Sequence, residues 1–202
     1  MIVFVSGSSK LKKLTEEMKQ CLDEHMSKNA SFIVGDCYGA DELTQKYLKS
    51  KGYEDVTVYT STETPRAKRC SYDKYVSLWS EAQGKYGEDF YQVKDKAMCM
   101  ACDIAVAFWN GSSYGVKCNI IRCLDLHKTC QVYVSEIKDG DTEALREVID
   151  HAARLEDQKV SSSVTRMPPC LTAMLCGLPH TIPYSPFTGA PHKTDVHYKI
   201  ST

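Results

Sequence analysis

Net charge is almost absent from this sequence: 25 Lys and Arg stand against 26 Asp and Glu, a formal −1 at pH 7. That balance leaves no electrostatic drive toward bulk nucleic acid or an anionic membrane surface, and neither partner is expected. Long apolar runs are missing too. No stretch approaches the roughly 20 apolar residues of a membrane helix. No basic segment precedes Ile2–Val5, so a signal peptide is not expected either. The chain is also not short and loop-rich, which argues against reading its ten cysteines as a secreted disulfide scaffold. Most of those thiols sit inside apolar patterns, where cysteine acts as a small hydrophobe. The expectation is a soluble, cytoplasmic protein with reduced thiols.

What is present is an alternation of short apolar runs with longer amphipathic stretches. Strands are expected at Ile2–Val5, Phe32–Val34, Val56–Tyr59, Ile104–Phe108 and Cys130–Val134. Helical spacing links them: Leu11, Leu14, Met18, Cys21 and Leu22, then 40–51, Val93–Cys102, Val116–Leu126 and Thr142–Leu155, with Gly52 as a stop. The irregular stretch 62–90 contains a polar loop with Arg66, Lys68 and Arg69 and a further expected helix from Tyr72 to about Glu81. The pattern predicts a Rossmann-like, doubly wound α/β fold with a parallel sheet of about five strands and helices on both faces. Residues 1–158 form that expected domain. Residues 159–202, serine-rich and holding most of the seven prolines, are expected to be an irregular extension.

Ligands of such sheets bind beyond the carboxyl ends of the strands, where strand order reverses. Three expected strands end in small or glycine-rich loops. Gly7-Ser8-Ser9 and Gly111-Ser112-Ser113-Tyr114-Gly115 each precede a helix, where amides without intrahelical partners can receive an anion. Gly35-Asp36-Cys37-Tyr38-Gly39-Ala40-Asp41 adds two carboxylates, suited either to capping a helix or to accepting from ribose hydroxyls. Trp109 leaves a strand straight into the second loop and is the expected stacking surface for a base, with Tyr72, Tyr75 and Tyr114 as others. The same residues also suit ordinary turns and core positions.

The series Ser6-Gly7-Ser8, Gly35-Asp36-x-x-Gly39-Ala40-Asp41, Lys94-Asp95-x-x-Met98 and Ala107-Phe108-Trp109-Asn110-Gly111-x-Ser113-x-Gly115 resembles the SLOG superfamily. Its members are Rossmann-like domains related to the DNA-processing protein Smf/DprA and to the LOG phosphoribohydrolases. The likeness is greatest to small bacterial and phage members of the YspA/YpsA type and spans roughly residues 2–135. It implies a nucleotide-derived ligand, of ADP-ribose or cyclic type among others, and a homodimer. In LOG enzymes a Gly-Thr-x-x-Glu segment supplies a glutamate for N-glycosidic cleavage. The matching stretch here, Gly115-Val116-Lys117-Cys118-Asn119, has valine for threonine and Asn119 for the glutamate. An amide neither takes a proton near neutral pH nor attacks carbon as a carboxylate does.

Asp36 and Asp95 are therefore the candidate substitute acids, with Glu63, Asp73 and Asp103 behind them. The ligand-binding set is Gly7, Ser8, Ser9, Gly35, Asp36, Gly39, Asp41, Arg66, Asp95, Trp109, Asn110, Gly111, Ser112, Ser113, Gly115 and Asn119. No resident cofactor and no metal is expected. Cys99-x-x-Cys102 has zinc spacing but no clear second pair in sequence, and the tail residues Cys170, Cys176, His180, His192 and His197 are irregularly spaced. Three functions stay open at this point: a nucleotide sensor, sink or carrier; a nucleotide N-glycosidase or deoxyribosyltransferase-like enzyme; and a non-catalytic interaction module.

Overall fold

The computed structural model describes residues 1–66, 70–135, 142–162 and 196–200. In chain order the elements are β1 (Ile2–Gly7), α1 (Glu16–Ser27), β2 (Ser31–Gly35), α2 (Ala40–Ser50), β3 (Val56–Thr60) and β4 (Tyr75–Ser77). There follow α3 (Trp79–Ala82), α4 (Gly87–Ala101), β5 (Ile104–Trp109), α5 (Tyr114–Asp125), β6 (Thr129–Val134), α6 (Thr142–Ser162) and β7 (Val196–Ile200). One sheet runs in the order β4-β3-β2-β1-β5-β6-β7. Its first six strands pair in parallel, and β7 joins β6 antiparallel. The chain is thus a Rossmann-like α/β fold.

Strand alternation sends side chains to two cores. Val3, Val5, Phe32, Val34, Val106 and Phe108 pack with Met18, Leu22 and Leu48 from α1 and α2 on one face. Phe4, Ile33, Ala105, Ala107 and Trp109 pack with Met98, Val116, Ile120, Leu124 and Val148 from α4, α5 and α6 on the other. Both faces of the central strands are covered, which is why their sequences are almost continuously apolar rather than alternating.

Three local expectations change. Helical spacing starts at Leu11, but α1 begins only at Glu16, because the Thr15 hydroxyl accepts the Met18 N–H and caps it there; Leu11 and Leu14 are buried from a turn. The expected helix from Tyr72 to Glu81 is instead strand β4 followed by one short helical turn. Backbone groups at the open side of β3 claim that segment, with Val58 N–H bonded to Lys74 O and Leu78 N–H to Thr60 O. In the C-terminal extension, α6 runs to Ser162 and Val196–Ile200 adds the antiparallel strand.

Candidate functional site

β1 and β5 are neighbours, yet the chain leaves β1 toward β2 on one side and arrives at β5 on the other. Strand order reverses there, so the loops after β1 and β5 meet at the carboxyl rim. Ser8 ties them together. Its N–H donates to Phe108 O (2.9 Å), its hydroxyl to Asn110 Oδ1 (2.8 Å), and its Oγ accepts the Asn110 N–H (3.0 Å). Asn110 Oδ1 also accepts from the backbone N–H groups of Ser112 (3.3 Å) and Ser113 (3.0 Å). Two of the amides expected to face an anion are therefore held by the amide oxygen of Asn110.

The first turn of α5 lies just beyond. Ser113 precedes it without a side-chain capping bond, so the N–H groups opening the helix keep their outward dipoles. Beside them is a cavity of about 200 Å³ lined by Ser8, Ser9, Lys10, Asn110, Ser112, Ser113 and Tyr114. Among the described residues, four serines, a lysine, an asparagine and a half-exposed tyrosine line it, and no aspartate or glutamate does. Gly39 adopts φ +72°, and a Cβ there would strike the Ser8 and Ser9 backbone; Gly7 meets Ala40 and Phe108 in the same manner. Bare backbone lets the β1 and β2 loops close on each other.

A second group of charges sits at the end of β2. Asp36 is wholly buried and gripped by Arg66, whose Nε and Nη2 donate at 3.0 and 2.8 Å, while the Thr60 hydroxyl adds a third bond at 2.9 Å. Burial pushes the Asp36 carboxyl up, but the guanidinium, Lys94 and Thr60 outweigh it and hold the carboxyl below its usual range. Arg66 also donates to Cys37 Sγ (3.3 Å), and burial raises that thiol. Lys94, buried on α4, donates to Asp95 Oδ1 (2.7 Å). Burial alone would lower the lysine; Asp95, Cys37 and Asp41 reverse the sign and raise it. Asp41 accepts the Cys37 N–H (3.0 Å). A Cβ on Gly35 would collide with both Asp41 Oδ2 and Lys94 Nζ.

Several expected roles change with these positions. Trp109 has no exposed surface and its indole N–H donates to Ser113 O (3.1 Å), so it is a core residue and offers no face to a base. Tyr114 is the half-exposed aromatic residue in the cavity wall. Asp36 is sealed by Arg66 and turns no oxygen to a ribose. Asn119 is buried, donating to Ser6 Oγ (3.0 Å) and accepting from Arg122 (3.0 Å), which makes it a strut between β1 and α5. Asp103 lies at the opposite end of the sheet, accepting the Ile2 N–H. Tyr72 is buried with its hydroxyl on Tyr53 O. Glu63 and Asp73 are exposed, and Asp95 keeps partial exposure. Gly111 holds φ +81° in the loop, and Gly115 opens α5 with free space around it.

Lys68, Arg69, Cys170, Cys176, His180 and His192 lie outside the described residues, as does the His197 side chain. Lys10 also lines the cavity and escaped the sequence reading; its only signal was its place directly after Ser8-Ser9. Cys99, Cys102, Cys123 and Cys130 share one core cluster. Among the described residues no group of His, Cys, Asp or Glu is arranged to hold a metal ion, and no helix is long and apolar enough to cross a membrane. No protein-family model matches the chain, and no curated protein or solved structure is significantly similar to it.

Proposed function

We propose that this protein binds a nucleotide or nucleotide-derived ligand, with a phosphate at the switch-point cavity. The observation that carries the reading is the cavity's location and lining together. It stands where strand order reverses, beside the uncapped start of α5, and is walled by serines, Lys10 and Tyr114. Serine hydroxyls, outward N–H dipoles and an ammonium recognise a phosphate. The Tyr114 ring beside them suits a base or ribose face. The resemblance to the SLOG superfamily points the same way.

Binding is favoured over N-glycosidic cleavage by the state of the acids. The position that carries glutamate in LOG enzymes is Asn119, committed to Ser6 and Arg122. Asp36 is committed to Arg66, and among the described residues the cavity wall holds no carboxylate. A sensor, sink or carrier needs none. Self-association as a homodimer belongs to the same proposal by resemblance.

The test is thermal denaturation of the purified protein with a panel of mono-, di- and cyclic nucleotides and ADP-ribose, compared with Ser112→Asp. A ligand at about 100 times its Kd adds about 2.7 kcal/mol, a rise of roughly 5–10 °C for a domain of this size. Ser112 is exposed, and a carboxylate near a helix N-terminus is tolerated or mildly stabilising. Ser112→Asp should keep its own melting temperature and lose the ligand-induced rise. A panel in which no nucleotide moves the wild-type transition would refute the proposal.

A further inference from the structure

Among the described residues, the charges around the turn between β2 and α2 do not balance: three carboxylates, Asp36, Asp41 and Asp95, share this space with two cations, Arg66 and Lys94. Asp36 and Arg66 form one close pair, and Asp95 and Lys94 the other. Asp41, 6% exposed, is left with the Cys37 N–H and a lysine already engaged by its neighbour. Gly35 leaves no room for anything else, because its missing Cβ is the space that Asp41 Oδ2 and Lys94 Nζ share. A buried charge without its own counter-ion is expensive, and a carboxylate can shed the charge by taking a proton.

We propose that this turn is a proton-binding site with Asp41 as the acceptor, and that an anion at the neighbouring rim is bound together with that proton. Among the described residues, the groups facing Asp41 are Asp36 and Cys37 from its own turn, Lys94 and Asp95 from α4, and Arg66 behind Asp36. Burial pushes Asp41 up to about 6; Lys94 and the Cys37 N–H oppose that, while Asp95 and Asp36 add to it. The turn is in contact with the rim. Ala40 N–H donates to Ser8 O (3.1 Å), and Gly39 lies against the Ser8 and Ser9 backbone. An anion bound at Ser8–Ser113 adds negative charge near Asp41 and favours its neutral form. By reciprocity, the protonated protein binds the anion more tightly. The coupling rests on the reading of the rim as a phosphate site; the proton site does not.

The proton site is tested without ligand, by carbon-detected NMR of the aspartate carboxyls in the labelled wild-type chain. One carboxyl should titrate near pH 6 and be absent from Asp41→Asn. Asp95→Asn, which frees Lys94 for Asp41, should move that titration to lower pH. This holds as a second test should Asp41→Asn not fold. If every carboxyl titrates below about pH 5, as ordinary aspartates do, the proton site is refuted. Coupling is tested by calorimetry with pyrophosphate at about pH 5.5 and about pH 7.5 in buffers of different ionisation enthalpy. Several-fold tighter binding at the lower pH with proton uptake is expected, and both should vanish in Asp41→Asn. Pyrophosphate binding with no proton uptake would overturn the coupling alone. A carboxyl titrating near 6 in a protein that binds neither pyrophosphate nor any nucleotide would support the proton site while refuting the rim as an anion site.

Discussion

Replacing Arg66 with methionine keeps much of the apolar stem of the side chain and removes its guanidinium, stranding a carboxylate that has no exposed surface. Asp36 would lose two charge-assisted bonds, at 2.8 and 3.0 Å, and keep the Thr60 hydroxyl, a longer bond from the backbone N–H of residue 66 (3.4 Å) and the more distant Lys94. Breaking a buried pair by removing one partner costs about 3–5 kcal/mol, whereas an exposed pair is worth about 0–1. Arg66 is 29% exposed at its side chain, so the lower end of the first range, about 3 kcal/mol, is expected. The sign of the pH dependence separates this from loss of packing. In the wild type the folded carboxyl lies below its unfolded value. Its contribution is therefore complete above the unfolded pKa and lost only as pH falls through the depressed folded one. In Arg66→Met burial prevails and the carboxyl rises, so acid protonates it in the folded state and the deficit shrinks as pH falls from 8 toward about 5. Urea denaturation across that range measures both quantities. A deficit under about 1 kcal/mol, or one independent of pH, would refute the account of Asp36 as a buried charge dependent on Arg66.

Gly39→Ala and Gly52→Ala form a matched pair. Both glycines adopt φ near +70°, but only Gly39 faces neighbouring backbone, so it should lose about 2 kcal/mol or more while Gly52→Ala costs about 1; equal losses in urea denaturation would contradict the close approach of the two loops. Trp109→Ala should destabilise by about 3–5 kcal/mol, the value for a large core residue; a change under about 1 kcal/mol would return Trp109 to the surface. Native thiol labelling followed by peptide mass spectrometry should modify Cys37, Cys70 and Cys118 well before Cys21, Cys99, Cys102, Cys123 and Cys130. Early modification of Cys123 would show that the core cluster is open.

The parallel sheet was legible because Ile2–Val5, Phe32–Val34 and Ile104–Phe108 are apolar on both faces, a pattern with few other uses in a chain of this length. β4 was not, since Tyr75–Ser77 is exposed and shorter than any periodicity; its strand character comes from the free edge of β3 rather than from its own residues. The rim loops were legible from Gly7, Ser8, Gly39 and Ser113, whose small size has a local cause visible in sequence. The partners within the rim were not. Whether Asn110 turns its oxygen onto Ser112 and Ser113, or Asp36 onto Arg66 thirty positions away, depends on tertiary placement. Trp109 misled for a related reason: the last residue of a buried strand can face core or cavity, and the choice is fixed by the Ser113 carbonyl, just ahead of α5, that accepts its N–H. The carboxylate excess around Asp41 likewise needed α4 in place before Lys94 and Asp95 could be counted with it.

Mass spectrometry of the small molecules released from protein purified natively out of cells tests the central claim most directly, because it requires no choice of ligand beforehand. A phosphate-bearing nucleotide or nucleotide derivative should be recovered from the wild type and be depleted more than tenfold in Ser112→Asp, whose added charge opposes the phosphate in a partly enclosed cavity. Recovery of the same compound in equal amount from both proteins would contradict a phosphate site at the β1–β5 rim.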